Sequence, residues 1–212
     1  MSETANRSPL VLALPKGRVQ AQATARLRTA GLEIELDSGT RTMRHESDGL
    51  TVLLMRNADV PTYVDLGVAD AGVVGRDVLL ESGNRLYAPA DLAVGICRIS
   101  LLRPAGSSGP VRRVASKYPR ITSAYLARKA IAADVIPLTG NVELACVSGL
   151  ADAVVDVVET GATLAANDLV EVDVIATSSA RLVVNRAAMK LKADRLRPLI
   201  ARLRADVARP LP

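Results

Sequence analysis

Short apolar runs alternate with segments of helical spacing along the chain, and this alternation constrains the fold more than any other feature. A Gly-, Pro- and Ser-rich loop at 104–110 separates two such series. The predicted strands are residues 10–14, 32–36, 50–55, 71–74, 91–102, 135–138 and 170–175, and a second unit is predicted to begin at 114. The predicted helices are residues 19–30, 60–67 and 121–132. The pattern predicts an α/β protein with mainly parallel sheets covered by helices.

Residues 143–164 carry the clearest chemical signal. Apolar residues at positions 150, 154, 157 and 158 have helical spacing, which predicts a helix over 149–158 with Asp152 and Asp156 on one face. The turn Glu159-Thr160-Gly161-Ala162-Thr163 then leads into a short helix, whose first N–H groups and threonine hydroxyls suit a phosphate monoester. The two aspartates could hold ribose hydroxyls or Mg²⁺. An ordinary amphipathic helix with a glycine cap explains the segment equally well.

Ten residues of this stretch stand in the order and spacing of a known signature: Glu143, Gly149, Ala151, Val154, Asp156, Val157, Thr160, Gly161, Thr163 and Leu164. The chain resembles the ATP phosphoribosyltransferases, the first enzymes of histidine biosynthesis. Further matching segments are 14–18, 56–64, 67–77, 95–98, 115–119, 167–172 and 179–185. Two positions depart from the family pattern, since Cys146 replaces a proline and Asp168 stands where glycine is common.

The resemblance implies two α/β domains in a type II periplasmic-binding-protein-like fold, with the second domain inserted in the first. Domain I would comprise residues 1–98 plus 180–212, and domain II residues 99–179 would carry the phosphoribosyl-pyrophosphate loop. Crossovers are expected near 95–103 and 178–182, with the active site in the cleft between the domains.

The implied reaction is attack of N1 of ATP on C1 of 5-phosphoribosyl-1-pyrophosphate, with release of pyrophosphate. Catalysis of such a displacement depends mainly on positioning and electrostatics. Mg²⁺ is the expected cofactor and would arrive with the substrate. It could lie near Asp152 and Asp156, but no protein side chains are expected to bind it tightly. Arg18 and Arg41 are the implied catalytic residues, because a planar guanidinium pairs bidentately with phosphate.

The remaining implied contacts are all substrate-binding. Residues 159–163 would grip the 5-phosphate, and Asp152 and Asp156 would lie along the ribose. The other candidates are Lys16, Asp70, Gly72, Lys117 and Glu143. A structural hydrogen bond of a buried aspartate explains Asp70 equally well, and Glu143 and Lys117 could serve a helix cap and a turn.

The length of 212 residues resembles the short form of the family, without the regulatory C-terminal domain of long forms. Short forms are catalytic subunits, so the resemblance implies a homodimer that forms a hetero-octamer with a histidyl-tRNA-synthetase-like regulatory subunit. Residues 186–209 hold eight basic and two acidic residues, a net charge of +6. The spacing of apolar residues there predicts an amphipathic terminal helix with a solvated basic face. A docking surface for an acidic partner subunit is the second interpretation. A nucleic-acid-binding surface is disfavoured, because aromatic residues, on which bases could stack, make up only 2% of the chain.

Other classes are excluded on composition. No apolar run reaches the roughly 18 residues of a membrane helix, and residues 1–8 are polar, so a cytoplasmic location is expected. Two cysteines and one histidine cannot furnish a structural zinc site. A small-anion-binding protein or a sensor domain of the same fold is the alternative function.

Overall fold

The computed structural model describes residues 8–36 and 42–206, apart from the side chains of Ala162 and Thr163. Its strands are β1 (Leu10–Pro15), β2 (Arg44–Ser47), β3 (Leu50–Met55), β4 (Ala71–Gly75), β5 (Tyr87–Asp91), β6 (Cys97–Pro104), β7 (Arg113–Ser116), β8 (Asp134–Pro137), β9 (Ala153–Val158), β10 (Leu169–Ser178) and β11 (Ala180–Val184). Its helices are α1 (Arg18–Thr29), α2 (Val60–Asp65), α3 (Arg76–Ser82), α4 (Pro119–Arg128), α5 (Leu144–Val147), α6 (Ala162–Ala166), α7 (Ala188–Leu191) and α8 (Ala193–Asp206).

The chain divides into two compact units. Unit 1 contains the described residues up to Leu79, the segment Asn84–Gly95 and the described residues from Ser179 onward. Unit 2 contains Leu80–Gly83 and Ile96–Ser178. Unit 2 is therefore inserted, in sequence, between parts of unit 1.

Unit 1 is built on a six-stranded sheet of order β2-β3-β1-β4-β11-β5. Strand β1 is parallel to β3 and β4, while β2, β11 and β5 pair antiparallel. Apolar side chains of α1 and α8 pack with the sheet in one core cluster, and α2 contributes to another. Arg26, 3% exposed, connects α1 to α8 because its Nη1 contacts Asp206 Oδ2 at 3.2 Å.

Unit 2 is built on a five-stranded sheet of order β10-β6-β9-β7-β8. Strand β7 is parallel to β8 and β9, whereas β6 is antiparallel to β9 and β10. Successive residues of β9 belong to different core clusters, since Val154 packs with Leu102 and Val155 packs with Tyr125 of α4. This sheet is therefore buried on both faces at its centre.

The predicted α/β class is confirmed, and its sheets are mixed. Most predicted elements are present, including the helix over 60–67, here Val60–Asp65, and the terminal amphipathic helix. Asp168 takes a φ of 50°, the left-handed conformation that glycine would adopt without strain. No helix in the described part of the chain is long and apolar enough to cross a membrane.

The predicted helix over 149–158 is wrong, because this segment forms a turn and then β9. Four valines follow in six residues, and such β-branched side chains favour a strand when both faces of a sheet are covered. The helical spacing was coincidental, because a strand buried on both faces takes apolar residues at most of its positions.

Two predicted strands also differ from the structure. The predicted strand over 91–102 is two strands, because Ala93 and Gly95 take φ values of 52° and 59° and interrupt the extended chain. The predicted strand over 32–36 is irregular, although Ile34 is buried in the core of unit 1. The Ile34 carbonyl accepts a hydrogen bond from the Arg28 side chain at 3.0 Å.

Candidate active site

Three parallel strands of unit 2 lie side by side, and candidate residues lie at or after the carboxyl end of each. Ser116 of β7 pairs with Pro137 of β8 and with Val155 of β9. Lys117 comes directly after β7, Glu143 lies in the connection after β8, and Asp156 lies near the end of β9. Ligands of open α/β sheets bind at this carboxyl edge.

Lys117 is held in place by its neighbour. The Ser116 hydroxyl donates to the Val155 carbonyl at 2.9 Å and accepts the Tyr118 N–H at 2.8 Å, which fixes the turn on either side of Lys117. Lys117 Nζ then lies 3.3 Å from Asp156 Oδ2. The structure therefore joins two predicted site residues that are 39 positions apart.

Asp156 is a buried carboxylate, 9% exposed. Burial raises its pKa above the ordinary aspartate value, and the negative charge of Glu143 adds to the rise. The Val157 N–H, which donates to Asp156 Oδ1 at 2.8 Å, and the Lys117 ammonium act in the opposite direction. Asp156 is therefore a buried carboxylate whose Oδ1 and Oδ2 contact the Val157 N–H and the Lys117 ammonium.

Glu143 directly precedes α5 and has one oxygen without a visible partner. Its Oε2 is buried and accepts no hydrogen bond from any residue that the structure describes. A buried carboxylate oxygen without a donor costs free energy, on the order of 1–3 kcal/mol or more, unless something else supplies the donor. A ligand with hydroxyl groups would supply it.

The turn after β9 has the backbone that the sequence predicted. Gly161 takes a left-handed φ of 82° and directly precedes α6, so the predicted short helix is confirmed as Ala162–Ala166. The first helical hydrogen bonds run from the N–H groups of Leu164 and Ala165 to the Gly161 carbonyl. Among the described residues, none outside the immediate neighbours of Gly161 has an atom within 4 Å of a Cβ built on it. The ligand role of Glu159, Thr160 and the residues that follow stays a prediction.

Asp152 lies away from this edge. Its Oδ2 accepts the N–H groups of Arg112 and Arg113, both at 2.9 Å, at the start of β7, and these bonds lower its pKa. Asp152 and Asp156 are four positions apart, which corresponds to about 13 Å in an extended chain. The prediction that both carboxylates share one face of a helix is therefore wrong, and one ion cannot bridge them.

Lys16 and Arg18 follow the end of β1 in unit 1. The Lys16 N–H donates to the Met55 carbonyl at 2.8 Å, and Gly17, with a φ of 99°, leads into α1, which begins at Arg18. Both basic side chains are exposed. Arg41, the other predicted catalytic residue, lies outside the described residues.

Asp70 and Gly72 have structural surroundings. Asp70 Oδ2 accepts the Val11 N–H at 2.7 Å and lies 2.6 Å from Lys192 Nζ, at the amino end of β4 and opposite to the end where Lys16 lies. A Cβ on Gly72 would come within 2.7 Å of Val60 Cγ1, so glycine allows α2 to pack on the sheet. These contacts favour the structural reading of both residues.

Two basic residues at the carboxyl edge of unit 1 were not singled out from the sequence. Arg56 follows β3 and Arg76 follows β4, as Lys16 follows β1. The Gly75 N–H donates to Asn57 Oδ1 at 3.2 Å, which connects the ends of β3 and β4. The sequence signal that could have identified Arg56 and Arg76 is a basic residue just after each of three predicted strands.

A family model described as ATP phosphoribosyltransferase matches residues 56–205. The chain belongs to the ATP phosphoribosyltransferase family. It is 57% identical over 203 residues to a protein named ATP phosphoribosyltransferase from Deinococcus deserti, covering 96% of this chain and 95% of that one. It is 58% identical over 199 residues to the protein of that name from Thermus thermophilus, covering 93% and 97%.

A solved structure agrees with this family. A chain of the ATP phosphoribosyl transferase (HisG:HisZ) complex from Thermotoga maritima superposes with a TM-score of 0.81 at 35% identity, covering 94% of this chain and 98% of that one. YhfZ from Shigella flexneri, at 19% identity and a TM-score of 0.61, shares the fold alone. The family relationship therefore rests on both sequence and structure.

Proposed function

We propose that the chain transfers the 5-phosphoribosyl group of phosphoribosyl pyrophosphate to N1 of ATP, giving N1-(5-phosphoribosyl)-ATP and pyrophosphate in the first step of histidine biosynthesis. Membership of the family supports the reaction. The observation that carries the site is the buried, unpartnered oxygen of Glu143 at the strand ends where Asp156 and Lys117 meet.

In unit 2, the proposed ligand is the activated sugar. Glu143 and Asp156 accept hydrogen bonds from ribose hydroxyls, and such bonds to charged groups contribute about 1.5–3 kcal/mol each. The turn Glu159–Thr163 binds the 5-phosphate through backbone N–H groups and hydroxyls. Lys117 offsets part of the negative charge of the two carboxylates, which reduces their repulsion of the phosphorylated sugar.

In unit 1, the proposed ligands are phosphate groups of the leaving pyrophosphate or of ATP. Lys16 and Arg18 lie at the end of β1, and Arg41 completes the predicted set. Arg56 and Arg76 join them, because the structure places them at the ends of the neighbouring strands. Negative charge accumulates on the pyrophosphate as the glycosidic bond breaks, and fixed cations stabilise that charge.

The described residues do not offer a resident metal site. No group of three or more His, Cys, Asp or Glu side chains among them is arranged to hold an ion. The proposed Mg²⁺ would arrive with the pyrophosphate of the substrate and neutralise its charge.

We propose that the chain also forms a homodimer and a hetero-octamer with a histidyl-tRNA-synthetase-like regulatory subunit. The support is the likeness to a chain of the Thermotoga maritima HisG:HisZ complex. The isolated chain is expected to show weak inhibition by histidine, because the regulatory subunit would supply the histidine response. The cytoplasmic location stays a prediction.

The test is an absorbance assay of the purified chain with ATP, phosphoribosyl pyrophosphate and Mg²⁺, with and without the regulatory subunit. The expected result is formation of phosphoribosyl-ATP, with pyrophosphate released in equal amount. Tight binding of phosphoribosyl pyrophosphate without product in either condition would favour the anion-binding alternative. The variant Glu143→Gln should lower kcat/KM for the sugar substrate more than for ATP.

A further inference from the structure

The two most exposed large apolar side chains among the described residues are Leu191, 82% exposed, and Leu66, 75% exposed. Leu66 follows α2, and Leu191 is the last residue of α7. Val68 and Tyr63, which are 54% and 41% exposed, lie in the segment of Leu66. Apolar side chains grouped on a surface mark a contact site more often than single ones do.

These residues lie on one surface because two contacts join their segments. Asn185 Nδ2 donates to the Val64 carbonyl at 2.8 Å, and Lys192 Nζ lies 2.6 Å from Asp70 Oδ2. Leu66 and Val68 lie between Val64 and Asp70 in the chain, and Leu191 directly precedes Lys192. We call this surface, formed by residues 63–68 and 185–191, the Leu66/Leu191 face.

The face lies at the opposite end of the sheet from Lys16 and Arg18. Strand β11 is antiparallel to β4, so Val184 pairs with Ala71 and the following Asn185 donates its N–H to the Asp70 carbonyl. The amino end of β4 therefore carries this face, and the carboxyl ends carry the proposed phosphate contacts. The proposed chemistry leaves the Leu66/Leu191 face unused.

Positive charge borders the face. A cavity of about 540 Å³ beside Leu66 is lined by Asp65, Asn84, Arg85, Leu86, Asn185 and Arg186. Lys190 is exposed on α7. Two arginines against one aspartate in the cavity suit a carboxylate, because a guanidinium pairs bidentately with it. A second copy would bring like charges together across a two-fold axis, which disfavours self-association through this face.

We infer that the Leu66/Leu191 face docks a protein partner whose surface combines apolar side chains with carboxylates that enter the Arg85/Arg186 cavity. The partner is the histidyl-tRNA-synthetase-like regulatory subunit, and its identity rests on the proposed function. Apolar contacts at the centre and charges at the rim are the usual anatomy of such an interface. Leu66 and Leu191 are its central anchors.

The test measures affinity for the purified regulatory subunit by titration calorimetry, using the full chain. The variants Leu66→Asp and Leu191→Asp should each bind at least about tenfold more weakly, because burying a leucine contributes that much or more. The double charge reversal Arg85→Glu/Arg186→Glu should also weaken binding. Val172→Asp is the matched control, since Val172 is 53% exposed in unit 2, and it should bind as the parent does.

Two further measurements distinguish a loss of docking from a loss of folding. Circular dichroism reports whether each variant folds, and hydrogen exchange of the parent complex should protect residues 63–70 and 185–192 without any substitution. Parental affinity in the folded variants, or no protection of these segments, would overturn the inference. Loss of self-association by Leu66→Asp would assign the face to a second copy instead. Failure of the parent chain to bind the subunit would remove the proposed partner itself.

Discussion

Asp152 and Asp156 offer the sharpest test of the structure, because their spacing in sequence suggests a shared role and the fold separates them. Asp156 lies beside Lys117, whereas Asp152 accepts two backbone N–H groups at the other end of the strands. We therefore compare Asp156→Asn with Asp152→Asn, two changes of identical chemistry. Only the first should reduce catalysis.

The magnitude follows from the proposed hydroxyl contacts. A hydrogen bond to a charged acceptor contributes about 1.5–3 kcal/mol and one to a neutral acceptor about 0.5–1.5 kcal/mol, so the amide loses roughly 1–1.5 kcal/mol per contact. One contact at Asp156 predicts a roughly five- to twelvefold lower kcat/KM, and two predict roughly 30- to 150-fold. Asp152→Asn should stay within about twofold of the parent.

The assay is steady-state formation of phosphoribosyl-ATP with phosphoribosyl pyrophosphate varied at saturating ATP, and thermal unfolding serves as the control for folding. Asp152→Asn should unfold at a lower temperature, because two backbone donors lose their charged acceptor. Equal losses of kcat/KM in two well-folded variants would refute the separation of roles. Parental activity of Asp156→Asn would refute the ribose contact.

Three further outcomes are expected. Gly72→Ala should lower the free energy of unfolding by about 1–3 kcal/mol in urea denaturation, because its Cβ would lie 2.7 Å from a valine methyl, whereas Gly109→Ala, with no atom within 4 Å, should change it little. Hydrogen bonds from Arg98 and Lys129 lower the folded-state pKa values of Glu171 and Asp173. The stability that these two carboxylates contribute is therefore present above their unfolded-state pKa values and is lost as the pH falls through their folded-state values. Acid unfolding followed by circular dichroism measures this loss. Burial raises the pKa of the Cys146 thiol, so iodoacetamide at pH 8 should alkylate it more slowly than free cysteine.

Asp156 acts on acid stability with the opposite sign. Its pKa is raised in the folded state, so the folded protein binds this proton more tightly than the unfolded chain does. The resulting stabilisation is fully present below the unfolded-state pKa and is lost as pH rises through the folded-state value. Asp156→Asn should therefore lower the free energy of unfolding at neutral pH by less than the removal of a surface carboxylate that an ion pair stabilises.

Local patterns in the sequence predicted the α/β class and the turn at Gly161 with its short helix. Each depends on residues close together in the chain: a glycine that can take a left-handed φ, and apolar runs bounded by turns. The family also follows from the sequence, because motif order and spacing are properties of the chain itself.

Tertiary structure alone decided which partner each carboxylate contacts. Asp152 binds N–H groups 39 and 40 residues away, and Asp70 pairs with a lysine 122 residues away. The choice between helix and strand for 149–158 depended in the same way on sheets and helices that cover both faces of β9. Hydrogen-bond partners and burial are set by packing between distant segments, which the spacing of residues within one segment does not encode.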